Sequence, residues 1–166
     1  MSKRKIIWLG GVVIVALIAW WGYGKYQDES IFRRLQTGGE KALSGEEFQQ
    51  ITRILSAKYK ADTYGSTTPE GTLAMFIEAL KKGDADLASR YFIPEKQVEE
   101  KRRIEAGFKS GGVKTLLGIL NRPHTGSLYK NGYNYSLSTF DVNGVEEYSH
   151  TFVKNSYTNI WKLESL

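Results

Sequence analysis

Two histidines, His124 and His150, are the only side chains in this 166-residue chain that ordinarily titrate near neutrality. Asn143-Gly144 is a dipeptide favoured in two-residue hairpin turns, where both positions need φ > 0. Placed in such a turn, it sets Val142 opposite Val145. Thr139 then faces Tyr148, Leu137 faces His150 and Tyr135 faces Phe152, all on one side of a sheet. This register gathers Tyr133, Tyr135, Tyr148 and His150 on an aromatic face, and a last strand adds Trp161. Those five residues are the candidate ligand-binding set. A general base needs a substrate proton within hydrogen-bond reach and a tuned pKa. No carboxylate stands beside His150 to tune it, because Asp141 shares the face but lies by the turn. His150 therefore reads as a neutral core histidine paired with a tyrosine hydroxyl. His124 follows Pro123 in a loop and is expected to be exposed. Two histidines so separated do not make a metal site.

Other chemistries lack their residues. The chain has no cysteine, which excludes disulfides, thiol nucleophiles, Cys-ligated zinc and a lipidated N-terminal Cys. No nucleophile elbow, phosphate loop, HExxH or paired-acid motif occurs. The reading is non-catalytic, with no catalytic residue, metal or cofactor assigned.

Ile6 to Tyr23 reads IIWLGGVVIVALIAWWGY, without a charge. As a helix it would span roughly 27 Å, close to the hydrocarbon thickness of a bilayer. Its Ile, Leu and Val residues together favour insertion by roughly 3 to 5 kcal/mol. Trp8 at entry and Trp20, Trp21, Tyr23 and Tyr26 at exit suit the two interfaces. Gly22-Tyr23-Gly24 offers a cleavage site of the signal-peptide kind. Against cleavage, the apolar run is long and Trp20 and Trp21 are bulky, so a retained anchor is expected. Lys3, Arg4 and Lys5 should stay cytoplasmic, which sends the C-terminal domain to the extracytoplasmic side of a cell membrane.

The formal net charge of +5 belongs mainly to that anchor. Lys3, Arg4, Lys5 and Lys25 precede every acidic residue, and from Asp28 onward the charges nearly balance. No basic-and-aromatic stripe of the kind nucleic acid needs is present. Expected partners are the membrane and other membrane or envelope proteins, with self-association open and nucleic acid excluded.

The elements that must position the candidate face follow from pattern. The expected organisation is a basic tail (1–5), a transmembrane helix (6–23), a juxtamembrane linker with an amphipathic helix (24–66) and an α+β domain (67–166). Gly38-Gly39 reads as a joint, and Ser44-Gly-Glu-Glu47 has the spacing of a capping box before Phe48, Ile51, Ile54, Leu55 and Tyr59. Thr68 as N-cap and Pro69 at the first helical position open a helix carrying Leu73, Phe76, Ile77 and Leu80, with Gly83 as stop. Asp84 caps a second helix through Leu87, Ala88, Tyr91 and Phe92, ending before Pro94. Residues 95–109 form a solvated, charge-dense helix. Val113, Leu116, Leu117 and Leu120 mark one more apolar helical face. From Gly126 strands follow, turned at Asn131-Gly132 and Asn143-Gly144. Ser138 opposite Ser149 and Ser136 opposite Thr151 make the reverse side of the sheet polar, and the preceding helices cover the aromatic side.

Thr68-Pro-Glu-Gly-Thr-Leu-Ala-Met-Phe-Ile-Glu-Ala-Leu-Lys-Lys-Gly-Asp84 resembles the opening helix of small bacterial domains in the nuclear transport factor 2-like, or cystatin-like, superfamily. Ile160-Trp-Lys-Leu-Glu-Ser-Leu166 resembles their last strand. The resemblance covers about residues 67–166. It implies a cone, with helices packed on a curved antiparallel sheet and often a pocket at the mouth. Many bacterial members are anchored in membranes. Some members are enzymes that use a His or Asp inside the cone as general base, and one anchored branch belongs to type IV secretion assemblies. The expectation is a membrane-anchored extracytoplasmic interaction or ligand-binding module. The alternatives are a small-molecule enzyme of isomerase or dehydratase type with His150 as base, and a structural subunit of a membrane secretion assembly.

Overall fold

A computed structural model of the chain describes residues 45–166. The basic tail, the apolar run, the Gly-Gly joint and Ser44 lie outside the described residues. Among those described, no helix is long and apolar enough to cross a membrane. The chain divides into two units, 1–54 and 55–166. Helix α1 (Gly45–Ala61) begins in the first and ends in the second. Glu46 and Glu47 stand in its first turn and Lys58 and Lys60 in its last, each sign at the end the helix dipole favours.

In the second unit the helical signals operate as expected. Thr68 Oγ1 accepts from Gly71 N at 3.1 Å and starts α2 (Pro69–Lys81), whose Leu73, Phe76, Ile77 and Leu80 are buried. Asp84 accepts from Leu87 N at 2.8 Å and starts α3 (Ala85–Ser89). This helix stops short of the expected Phe92. Tyr91 O accepts from Leu163 N, and Ile93 N donates to Leu163 O, so the chain leaves the helix to line the last strand. Phe92 still reaches the core, edge-on to Phe76 at 5.5 Å. Helix α4 (Gln97–Ser110) is solvated, with Ile104 its one buried residue and Arg103 ion-paired to Glu99 and Glu100. Gly111 at φ +78° turns the chain into α5 (Gly112–Leu120), which buries Val113 and Leu120.

Four antiparallel strands follow in sequential order: β1 (Thr125–Leu128), β2 (Asn134–Phe140), β3 (Glu146–Lys154) and β4 (Trp161–Ser165). The domain is thus α+β, with helices on one face of the sheet, as expected. Leu137 faces His150, Tyr135 faces Phe152, Thr139 faces Tyr148 and Ser138 faces Ser149, the register read from the sequence.

The turns that deliver this register differ from the expectation. Among the described residues, Asn159 is the only non-glycine with positive φ, so neither Asn131 nor Asn143 takes the required conformation. Asp141 O instead accepts from Gly144 N, and the Asp141 carboxylate accepts from Asn143 N and Val145 N. Asp141 pairs with Val145, which lengthens the loop by one residue. A bulge at Glu147 absorbs the offset, since Thr139 faces Tyr148 while Phe140 faces Glu146. The short Asp side chain satisfies the turn's N–H groups, leaving only Gly144, at φ +80°, with a left-handed backbone. The Tyr129–Gly132 turn is built similarly, with Asn131 Oδ1 accepting from Tyr133 N and Asn134 N.

Candidate functional site

His150 sits in β3 on the helix-facing side of the sheet, 2% exposed, between Tyr148 and Phe152 in sequence and opposite Leu137. Burial was expected, and so was a hydrogen bond to a tyrosine hydroxyl; only the burial is found. Neither ring nitrogen has a partner, and no tyrosine hydroxyl reaches it. Its ring neighbour is His124, with centroids 5.6 Å apart and planes tilted by 55°. His124, expected to be exposed, is half-buried just before β1, and its Nε2 is buried without a partner. Pro123 and the short β1 bring it to the sheet, which no local signal announces. Burial pushes the His150 pKa down to about 4, and the nearby His124 adds to the shift; burial lowers His124 as well. Both rings are therefore neutral at pH 7. Among the described residues, no three His, Asp or Glu side chains gather as a metal cluster.

The other members of the predicted set do not converge on His150. Tyr135 and Trp161 form a corner of their own, with rings 5.8 Å apart, edge to face. Tyr135 Oη donates to Glu70 Oε1 at 2.7 Å, tying β2 to the first turn of α2. Trp161 is buried, and its carbonyl accepts from Thr72 Oγ1. Tyr133 lies in the β1–β2 turn, 54% exposed. Tyr148 is 41% exposed, under the Arg122 guanidinium at 5.8 Å, and Arg122 is ion-paired to Glu147. The helix-facing side is filled, with Phe76, Phe92, Phe152 and Leu163 at 1% exposure or less.

A second polar feature went unread in the sequence. Lys162, between Trp161 and Leu163, points to the opposite side of β4 yet is fully buried. Its Nζ donates to Tyr64 O at 2.6 Å and Arg90 O at 2.5 Å and is ion-paired to Asp62 Oδ2 at 2.7 Å. Desolvation pulls its pKa below the usual lysine value, with the Asp62 carboxylate opposing the shift. Next to this pair is a cleft of about 310 Å³, with Tyr64, Arg90, Pro94 and Gln97 among its walls.

On the same outer side of the sheet, β1 to β3 remain uncovered. Ser127, Ser136, Ser138 and Ser149 line a shallow trough of about 590 Å³, with Tyr129, Tyr148 and two glutamates at its margins. Ser136 and Ser149 hydroxyls are 2.7 Å apart, and Ser138 donates to Glu146 at 2.6 Å. Such a surface offers hydroxyl donors and acceptors with aromatic edges and no basic residue in its lining. Its hydroxyls and carboxylates suit a polar ligand or partner.

No family model, no curated protein and no solved structure matches this chain.

Proposed function

We propose that this chain is a membrane-tethered binding module without catalytic activity. In this reading residues 6–23 are a retained single-pass anchor, Lys3, Arg4 and Lys5 hold the N-terminus in the cytoplasm, and the α+β domain stands on the extracytoplasmic side. The resemblance of residues 68–84 and 160–166 to nuclear transport factor 2-like domains supports reading the domain as one of their cones. The observation that carries the binding reading is the trough on the outer side of β1–β3, open where the chain's own helices cover the other side. Support for the non-catalytic part comes from His150, buried in a filled face and without a hydroxyl or carboxylate partner.

The test is site-directed photo-crosslinking on the full chain in its membrane. A photoreactive residue at Ser127 or Ser149 should yield an adduct of defined mass, whereas one at Glu105 on α4 should not. Equal labelling from all three positions, or none from the two serines, would remove the trough as the binding surface.

A further inference from the structure

The buried Lys162 ammonium does more than face Asp62. It donates to the carbonyls of Tyr64 and Arg90, and so fixes the backbone of two residues that wall the adjacent cleft. Gln97, another wall residue, donates through Nε2 to Phe92 O at 3.1 Å, which ties the first turn of α4 to the same segment. The Arg90 guanidinium is held from two sides. Its Nε and Nη2 donate to Asp86 Oδ2 at 3.1 and 2.9 Å, and its Nη1 donates to Tyr64 Oη at 2.7 Å. Each Nη carries a pair of N–H groups, so each keeps one for a ligand oxygen. The side chain remains exposed. A planar guanidinium immobilised in this way is a ready partner for a carboxylate.

Charge selects the sign of the ligand. The charged residues of the lining are Lys58, Asp62 and Arg90. Asp62 is balanced by Lys162, while the Asp86 carboxylate is shared between Arg90 and Lys101, two cations on one anion. The surplus at the cleft is therefore positive and favours an anion. The rest of the wall selects its body, since Ala61, Tyr64, Pro94 and Val98 present apolar surface. A volume of about 310 Å³ is at the lower end of the range that holds small ligands, roughly 300–1,000 Å³. We propose that this cleft binds a small organic monocarboxylate, with its apolar body against Tyr64, Pro94 and Val98 and its carboxylate on Arg90. Inorganic phosphate would leave the apolar walls unused, and an ammonium ligand would meet like charge. The site shares no residue with the serine trough, so it stands or falls separately from that surface.

The probe is phenylacetate, a single ring with one carboxylate, titrated into the full-length protein in mild detergent and followed by calorimetry. It should bind saturably, while phenethylamine and inorganic phosphate should not. Val98→Trp fills the cleft and touches no charge. Because Val98 is half-exposed on α4, this variant should keep the wild-type melting temperature and lose the binding. Arg90→Lys keeps the charge but not the planar set of donors, and should weaken binding about tenfold, the worth of one charge-assisted hydrogen bond. Absence of saturable binding to the wild type would overturn the assignment. Binding that survives both substitutions undiminished would overturn it equally, because the carboxylate would then sit elsewhere. Equal binding of phosphate would also overturn it, leaving a contact made by charge alone.

Discussion

Lys162 Nζ lies 2.7 Å from Asp62 Oδ2, and both residues are almost wholly buried although they sit a hundred positions apart. The pair joins the segment just after α1 to the final strand, and the carbonyls of Tyr64 and Arg90 accept hydrogen bonds from the same ammonium. Taking two charges out of water is costly, so the pair is weak evidence of net stabilisation. Its removal by halves is another matter. Asp62→Ala leaves a buried ammonium without its counter-ion and should destabilise the domain by about 3 kcal/mol or more. Lys162→Met strands Asp62 and two carbonyls and should cost a similar amount. The double variant should lose clearly less than the sum of the two. Urea unfolding of the four proteins measures this coupling, and strict additivity would show that the charges do not sense each other.

Gly126 and Tyr135 make a second specific pairing. A Cβ built on Gly126 would lie 1.9 Å from Tyr135 Oη, because the tyrosine ring crosses β1 to reach Glu70. Gly126→Ala should push the ring aside, break the Tyr135–Glu70 hydrogen bond and cost about 1–2 kcal/mol. Tyr135→Phe alone should cost about 1 kcal/mol, the worth of one hydrogen bond. In a Tyr135→Ala background the glycine substitution should be nearly neutral. If Gly126→Ala is equally harmful there, backbone conformation rather than the crossing ring holds that glycine. Chemical denaturation of the single and double variants decides it.

Local signals and long-range ones were not equally legible in the sequence. Thr68-Pro69 and Asp84 announce helix starts because a cap needs only residues three apart. The β2–β3 register was legible because a wrong register would turn Leu137, His150 and Phe152 to the outside. The turn chemistry was misread at Asn143, where Asp141 supplies acceptors that a dipeptide rule does not count. The helix end at Ser89 was missed because Tyr91 and Phe92 keep helical spacing while their backbone serves β4.

The candidate site was less legible for the same physical reason. Alternation placed His150 inward correctly, yet its neighbour His124 arrives through a loop whose path no periodicity encodes. Tyr133 and Tyr148 belong to the predicted face by parity, but the turn and the bulge lift them into solvent. Lys162, between Trp161 and Leu163, carries no local sign of burial. Only the tertiary arrival of Asp62, Tyr64 and Arg90 makes it a buried one.

The anchor reading has a direct consequence for the mature chain. Intact-mass analysis of protein purified from membranes should retain residues 1–24, and alkaline carbonate washing should leave it in the pellet. Protease added outside permeabilised envelopes should degrade the α+β domain, since Lys3, Arg4 and Lys5 keep the other end inside. A mature N-terminus at Lys25 would establish cleavage in place of anchoring. Full protection of the domain would establish the inverted orientation.

Acid sensitivity is the consequence of burying His150. Its folded pKa of about 4 lies below the ordinary 6.5 of the unfolded chain. Between those values the unfolded state binds the proton and the folded state does not, so stability rises with pH. The contribution is complete above about pH 6.5, falls away as pH drops through that window and is gone below about pH 4. A shift of this size corresponds to at most about 3 kcal/mol, less what solvent screening removes. His124 is shifted the same way and steepens the loss. His150→Phe places an apolar ring in an apolar setting and strands no hydrogen-bond partner, because His150 has none. The variant should therefore match or exceed the wild type at pH 7. It should also lose much less stability between pH 6.5 and pH 4. Urea midpoints of both proteins across that range measure the difference. Parallel curves for the two would mean that His150 does not stay neutral in the folded domain, and that its ring reaches solvent through an opening of the sheet.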